Sequence, residues 1–357
     1  KIDVRNVYRS ACAAGHKALW HSSFGGLPSR AFFQSIDPYL ATIHERYNTV
    51  PGTPNLPIGT LCAEWADKWG ISSDVVIAGS QFDAHAGAVG AGIRPGYLVK
   101  VMGTSSVDLA VEEARRITKN QTKEYFGQAE DSILPGYMGI EAGQAAFGDV
   151  FAWLKSILLW PHRTFGDQAE ATMMESRLLE KLEEYCTRDQ FVLPSALSLD
   201  WFNGRRYPFI NSHVKAAIMG LGLSTDAVDI YRSLVAGTAF GARRILDCLL
   251  ATGVVVNGII AVGGVARKSP FIMQTMASVL DRTIAVSCTD QACAKGSAMY
   301  AAVASGVLPS IAVAQERLAD GIQKEYRPNP EMARAYSELF QDYLSLGDYV
   351  EKWFSRG

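Results

Sequence analysis

Gly79-Ser80-Gln81-Phe82-Asp83-Ala84-His85-Ala86-Gly87-Ala88-Val89-Gly90-Ala91-Gly92 is the stretch on which the reading of this chain turns. The apolar run before it, Val75-Val76-Ile77-Ala78, predicts a short strand. Asp83 stands where that strand gives way to a glycine-rich turn and a small-residue segment. In α/β architecture a carboxylate at the C-terminal end of a strand points into the crevice where ligands bind. Two more loops of similar composition follow, Met102-Gly103-Thr104-Ser105-Ser106 and, after another apolar strand, Ala261-Val262-Gly263-Gly264-Val265-Ala266. An acidic residue and two loops rich in Gly, Ser and Thr are parts that phosphoryl transfer draws on.

Composition narrows the class. The 357 residues suffice for two domains, and 48% hydrophobic with 20% charged residues is an ordinary globular balance. A net charge of −2 generates no field to attract nucleic acid or anionic membrane, so neither is expected as a partner. No apolar run is long enough to span a bilayer and no signal peptide is visible; cysteine usage is what suggests a cytoplasmic protein. The six cysteines, Cys12, Cys62, Cys186, Cys248, Cys288 and Cys293, form no C-x-x-C pair and are expected as buried, reduced thiols. No histidine cluster stands at zinc spacing, and no metal ligand is assigned. The opening Lys1-Ile2-Asp3-Val4-Arg5 reads as mid-domain, so a piece of a longer protein is expected.

Along the chain, residues 1–73 are hard to read beyond the helical spacing of 61–69. Residues 97–111 predict two strands around the Gly103-Thr104-Ser105 turn, and Arg115–Gln128 a polar surface excursion. A strand over Gly136–Ile140 is expected to lead into a helix that runs to about Leu159 and stops at Pro161. Residues 168–188 predict a charged amphipathic helix, and 226–252 a buried one whose Gly237 and Gly241 permit close helix packing. Strand 256–262, a helix opening at Ser269-Pro270, strand 283–288 and helix 291–304 then alternate, and two further helices close the chain. Such alternation implies a sheet flanked by helices. A hinge near Gly92–Gly96 is expected to divide the chain into 1–95 and 96–357.

Nucleotide motifs are informative by elimination. There is no G-x-x-x-x-G-K-[ST], and Gly90-x-Gly92 fails the dinucleotide fingerprint because Pro95 stands at the last glycine position. A Gly/Ser/Thr phosphate site of neither kind suggests the actin-like, ribonuclease H-like ATPase fold, an α/β class in which hairpin-turn amides cradle phosphates.

Six separated blocks carry a resemblance: residues 14–21 with 25–28 (AGHKALWH, GGLP), 82–92 (FDAHAGAVGAG), 101–106 (VMGTSS), 140–153 (IEAGQAAFGDVFAW), 199–208 (LDWFNGRRYP) and 262–274 (VGGVARKSPFIMQ). In this order, over nearly the whole chain, they resemble the FGGY carbohydrate kinases, in which two actin-like domains close on ATP and a sugar. The resemblance implies the tail of the first domain and a complete second one. It implies that Asp83 is the general base that deprotonates the acceptor hydroxyl; from position alone Asp83 could merely cap the following turn. It implies that Lys17 and Glu141 hydrogen-bond the sugar beside Asp83, although Lys17 also reads as a surface charge and Glu141 as a helix N-terminal carboxylate. Gly103 and Thr104 would hold the transferring phosphate. Gly263 and Gly264 resemble the adenosine-site loop, and Gln274 the end of that signature or a plain helix-surface residue. His85 could orient Asp83, line the cleft or be structural; Lys268 could face a phosphate or solvent; Asn203 and Arg205 are assigned no contact.

The implied activity is transfer of the ATP γ-phosphate, with Mg²⁺, to the terminal hydroxyl of a ketopentose, L-ribulose first. D-ribulose, ribitol or xylulose are the alternatives, as is a non-catalytic sugar- or nucleotide-binding remnant. A homodimer is left open. The family's first-domain Asp-Phe-Gly-[Ser/Thr] turn, with its metal carboxylate, has no counterpart in this sequence, so this length alone is expected to turn over poorly.

Overall fold

The computed structural model describes residues 7–22, 25–47, 50–113, 126–188 and 192–355. The antiparallel pair β1 (Pro57–Thr60) and β2 (Val76–Ala78) stands apart, with every residue of β1 exposed. The main sheet is built from β3 (Tyr97–Met102), β4 (Ser106–Glu112), β5 (Gly127–Glu130), β6 (Met138–Gln144), β9 (Gly258–Val262), β10 (Ile284–Ser287) and β11 (Ile322–Tyr326); β7 (Leu197–Ser198) and β8 (Ile218–Met219) form a small separate pair. The main order is β11-β10-β9-β3-β4-β6-β5. β3, β9 and β10 run parallel, and β4, β6 and β5 continue from β3 as antiparallel strands, with β6 inserted between β4 and β5.

The period-two alternation of strand side chains sorts residues onto two helical layers. Leu98, Met102, Ile259 and Ala261 face one core with helices Ala227–Ala251, Pro270–Leu280 and Pro330–Phe354. Val99, Ile260 and Val262 face the other, with helices Asp83–Gly90, Ala292–Ala304 and Ile311–Leu318. Both faces being covered explains why β3 and β9 read as nearly unbroken apolar runs. Lys100 breaks that pattern. It lies between Leu98 and Met102, 1% exposed, with Nζ 2.9 and 3.0 Å from the two carboxylate oxygens of Asp108, its register partner across β3–β4.

Helix ends follow local chemistry. Asp226 caps Ala227–Ala251 in a reciprocal box with Asp229. Ser269 caps Pro270–Leu280 with Pro270 in the first turn, as its sequence predicts. Helix Gln168–Arg188 has the predicted bounds. Gly90 and Gly296 lie where helices Asp83–Gly90 and Ala292–Ala304 cross, and a β-carbon on either would run into the backbone of the other helix. Gly237 and Gly241 do permit close approach, but to the Ser198–Asp200 segment rather than to a helix.

Several expectations are corrected. Helix Gly148–Phe165 continues through Pro161. The lost hydrogen bond falls at half-exposed Ile157, where water can substitute, while buried Val150, Phe151, Leu154 and Leu159 hold the helix to the core. The strand predicted over Gly136–Ile140 instead spans Met138–Gln144, because β4 pairs with it as far as Ser106–Gln144. Glu141 is therefore a mid-strand residue, which removes the helix N-terminal reading. The surface excursion lies outside the described residues over 115–125, and its end is not surface: Phe126 is buried and Gly127 opens β5. β11 was not expected between the last helices. All six cysteines are free, but only Cys12 and Cys186 are buried; Cys62, Cys288 and Cys293 are exposed. The opening Lys1–Arg5 lies outside the described residues. No described helix is long and apolar enough to cross a membrane.

Two stability outcomes follow from these contacts. Lys100→Met leaves Asp108 buried and unpaired and is expected to cost about 3–5 kcal/mol in urea unfolding. Lys100→Met with Asp108→Leu should recover most of it; a single variant as stable as the double contradicts the pairing. Gly296→Val, overfilling the helix crossing, should cost about 1–3 kcal/mol by the same measurement.

Candidate functional site

The strand and loop that precede it deliver Asp83 to the first turn of helix Asp83–Gly90, whose N-cap is Phe82. Its carboxylate is exposed, with Oδ1 accepting the Ala84 N–H at 2.7 Å. Asp83 also bears on Cys293, whose thiol is pushed up by burial and then by the Asp83 charge. Lys17, the last residue of helix Ala11–Lys17, is exposed and places Nζ 5.4 Å from the centroid of the Phe82 ring. The Phe82 ring meets the His85 ring edge-on at 5.5 Å. His85, fully buried, sets Nε2 3.0 Å from Oε2 of Glu141 in β6. Lys17, Asp83 and Glu141, from three distant stretches of sequence, thus gather around one helix start.

Glu141 has a second partner. Arg206 Nη2 lies 2.5 Å from Oε1, its side chain 31% exposed. Burial works against a charged Glu141, but the His85 hydrogen bond and the cations around it prevail and hold its carboxyl down at about 2. His16 completes the group: Nε2 lies 3.1 Å from Ser132 Oγ, and its ring stands edge-on to His85 at 5.0 Å. Burial, and then the neighbouring His85 charge, lower its pKa to about 4. Among the described residues, His16, His85 and Glu141 bring donor atoms within 4.8 Å of one another. Two nitrogens and one carboxylate do not suit Mg²⁺, which takes oxygen ligands. Arg206 bonds one Glu141 oxygen and His85 the other, which leaves each oxygen one further lone pair for a hydroxyl donor.

The phosphate-loop candidates sit at the C-terminal ends of two adjacent parallel strands. The β3–β9 register pairs Val101 with Val262, so Gly103 and Gly263 emerge side by side. Gly263 holds φ +108°, and a β-carbon there would strike the Met102 backbone, so only glycine fits. Gly264 has open space in front of it. Gly103, Gly148, Phe151, Tyr231, Gly264 and Lys268 line a pocket of about 410 Å³. The Gly103 N–H is committed to Ser105 O, while the carbonyls of Gly103 and Thr104 accept from Gly148, Phe147 and Asp149 at 2.8–3.2 Å. The loop thereby satisfies the start of helix Gly148–Phe165, and the Thr104 side chain is exposed. Gln274 is not brought to this pocket: its Nε2 donates to Arg327 O at 2.7 Å, and it lines a different one, against Asn329 and Tyr336.

Arg206, His16 and Glu183 were missed. Arg205 rather than Arg206 attracted notice in the Asn203–Arg206 loop, yet Arg205 donates to Phe209 O, covers Trp201 and pairs with Glu351, all structural contacts. Glu183 lines the glycine pocket and accepts from Tyr231 and Ser269, its carboxyl raised by burial. His16 precedes Lys17 in AGHK, a signal that could have been used; nothing local marks Glu183.

The C-terminal domain pattern of the FGGY family of carbohydrate kinases matches residues 98–305. A ribulokinase of Vibrio parahaemolyticus is 39% identical over 353 residues, covering 98% of this chain and 62% of its own length. The chain thus spans about three-fifths of such curated relatives. Among solved structures, a xyloylose kinase from Brucella ovis superposes with a TM-score of 0.76 at 20% identity, covering 94% of this chain and 63% of its own. A Plasmodium falciparum glycerol kinase with ADP gives 0.72 at 16% identity, covering 95% and 63%. The fold is the actin-like α/β ATPase fold expected from the loops, and the chain belongs to the FGGY family of carbohydrate kinases.

Proposed function

We propose that this chain carries the sugar and nucleotide sites of an ATP-dependent kinase that phosphorylates the terminal hydroxyl of L-ribulose, giving L-ribulose 5-phosphate. The observation that carries the reading is the meeting of Lys17, Asp83 and Glu141 around the Phe82–His85 turn. The exposed Asp83 carboxylate takes the proton from the acceptor hydroxyl as its oxygen attacks the γ-phosphate; the electron pair of the breaking bond leaves with ADP. Lys17 and Glu141 hold the other hydroxyls, and charged partners make those hydrogen bonds the stronger kind. The nucleotide lies in the pocket beside Gly103 and Gly264; Gly263 lets its loop close against the Met102 backbone beside that pocket, and Thr104 offers a hydroxyl to the transferring phosphate. Gln274, in its separate pocket, supports the adenosine end only if the nucleotide reaches that far. Mg²⁺ accompanies the ATP in this reading; held chiefly by the nucleotide's phosphates and water, it would neutralise the charge that develops on them.

Support for the sugar comes from the Vibrio parahaemolyticus relative, a ribulokinase, and support for the nucleotide from the ADP bound by the glycerol kinase that shares the fold. The same reading divides the chain near residue 95, assigns 1–95 to the sugar side and 96–357 to the nucleotide side, and places the protein in the cytoplasm.

Asp83→Asn is expected to lower kcat by about 10²–10⁴ in a coupled ADP-release assay with L-ribulose, with the sugar Kd changed less than about tenfold. A variant that turns over like a measurably active wild type removes Asp83 from the chemistry. In calorimetric titrations L-ribulose should bind more tightly than D-ribulose, ribitol or xylulose; preference for another member of the panel replaces the substrate.

A further inference from the structure

We infer that His85 is the positioning residue of the sugar site, a buried imidazolium that fixes Glu141 in one orientation and leaves Arg206 to complete the polar wall a polyol meets. The inference rests on the proposed sugar site. It begins from an inventory of protons. His85 Nδ1 lies 3.1 Å from the carbonyl oxygen of Ser132, which can only accept, and 3.1 Å from Cys12 Sγ. Nε2 lies 3.0 Å from a carboxylate oxygen of Glu141, which also only accepts. A neutral imidazole has one N–H and cannot serve both. The doubly protonated ring serves both, and at 0% exposure no water substitutes for either bond. A charge buried so completely persists only if paired, and Glu141 is the pair.

Other charges near the ring agree with this state. From helix Ala11–Lys17 come Cys12 and His16, the latter held neutral, and Lys17 beyond the Phe82 ring. β6 supplies Glu141, the Asn203–Arg206 loop reaches it through Arg206, and Asp83 lies two residues earlier on the same helix. Burial opposes the charge on His85, but the hydrogen bonds with Cys12 and Glu141 raise its pKa to about 9. The sign follows: below about pH 9 the ring is charged and Glu141 is held, and as pH rises through that value the hold is lost. His85 touches no reacting atom. It acts through Glu141, and because it shares a helix with Asp83 it also sets the spacing between the base and the sugar-binding carboxylate.

Nitrogen-detected NMR of the ¹⁵N-histidine-labelled chain reads the proton inventory directly. Two protonated nitrogens on His85 at pH 7, with a titration midpoint near pH 9 that Glu141→Gln moves down toward the ordinary imidazole range, are expected; a single protonated nitrogen at pH 7 overturns the inference. Calorimetry with L-ribulose and, separately, ATP reads the consequence. Sugar affinity should be flat from about pH 6 to 8 and fall above pH 9. His85→Gln should weaken the sugar about tenfold or more, remove the alkaline fall and leave ATP unchanged. A wild-type chain that binds L-ribulose and a His85→Gln chain that binds it equally well overturn the positioning role alone. A folded wild-type chain that binds no L-ribulose contradicts the proposed function instead.

Discussion

The contact between His85 and Glu141 joins two parts of the molecule that the sequence keeps 56 residues apart. One is the short helix that presents Asp83; the other is β6, the strand next to the edge of the sheet. Such a buried ion pair contributes little net stability when complete but costs several kcal/mol when half of it is removed. It therefore specifies more than it stabilises. With Glu141 held between His85 and Arg206, the helix start has one place to sit on the sheet, and Asp83 has one direction to face. The glycines at the crossing of helices Asp83–Gly90 and Ala292–Ala304 let the helix lie that close.

The second half of the site depends on a different constraint, the parallel pairing of β3 with β9. Parallel strands end on the same side of a sheet, so the loops that follow them open into one crevice. Gly103 and Gly264 line the same pocket for that reason, although more than half the matched domain separates them. The buried Lys100–Asp108 pair and the bond from Ser106 to Gln144 lock the first loop's strands to their neighbours beneath that pocket. A transferring phosphate would thus meet a rigid floor rather than a mobile loop.

What could be read beforehand was whatever the chain writes locally. The strands around Gly103-Thr104-Ser105, the bounds of Gln168–Arg188 and the Ser269-Pro270 helix start were legible because hydrophobic period and cap chemistry coincide there. The early helices carry cap signals too, at Ser10, Ser29 and Asp37-Pro38, but each helix is too short to show a period. Pro161 misled because core packing of one helix face outweighs a missing hydrogen bond at its solvent side. β11 was invisible because an edge strand with exposed Lys324 and Glu325 has neither apolar alternation nor apolar run. Within the site, Asp83 was marked by its place after a strand, and its role, with Lys17 and Glu141, came through resemblance. His16 and Arg206 were not, since a histidine or arginine gains meaning only from what the fold sets opposite it.

The most direct measurement is a crystal structure of the chain soaked with L-ribulose and a non-hydrolysable ATP analogue. The account predicts the sugar's terminal hydroxyl within hydrogen-bond reach of the Asp83 carboxylate, about 2.6–3.2 Å, its other hydroxyls on Lys17 and Glu141, and the nucleotide beside Gly103 and Gly264. A sugar seated away from Asp83 and Glu141 would contradict it.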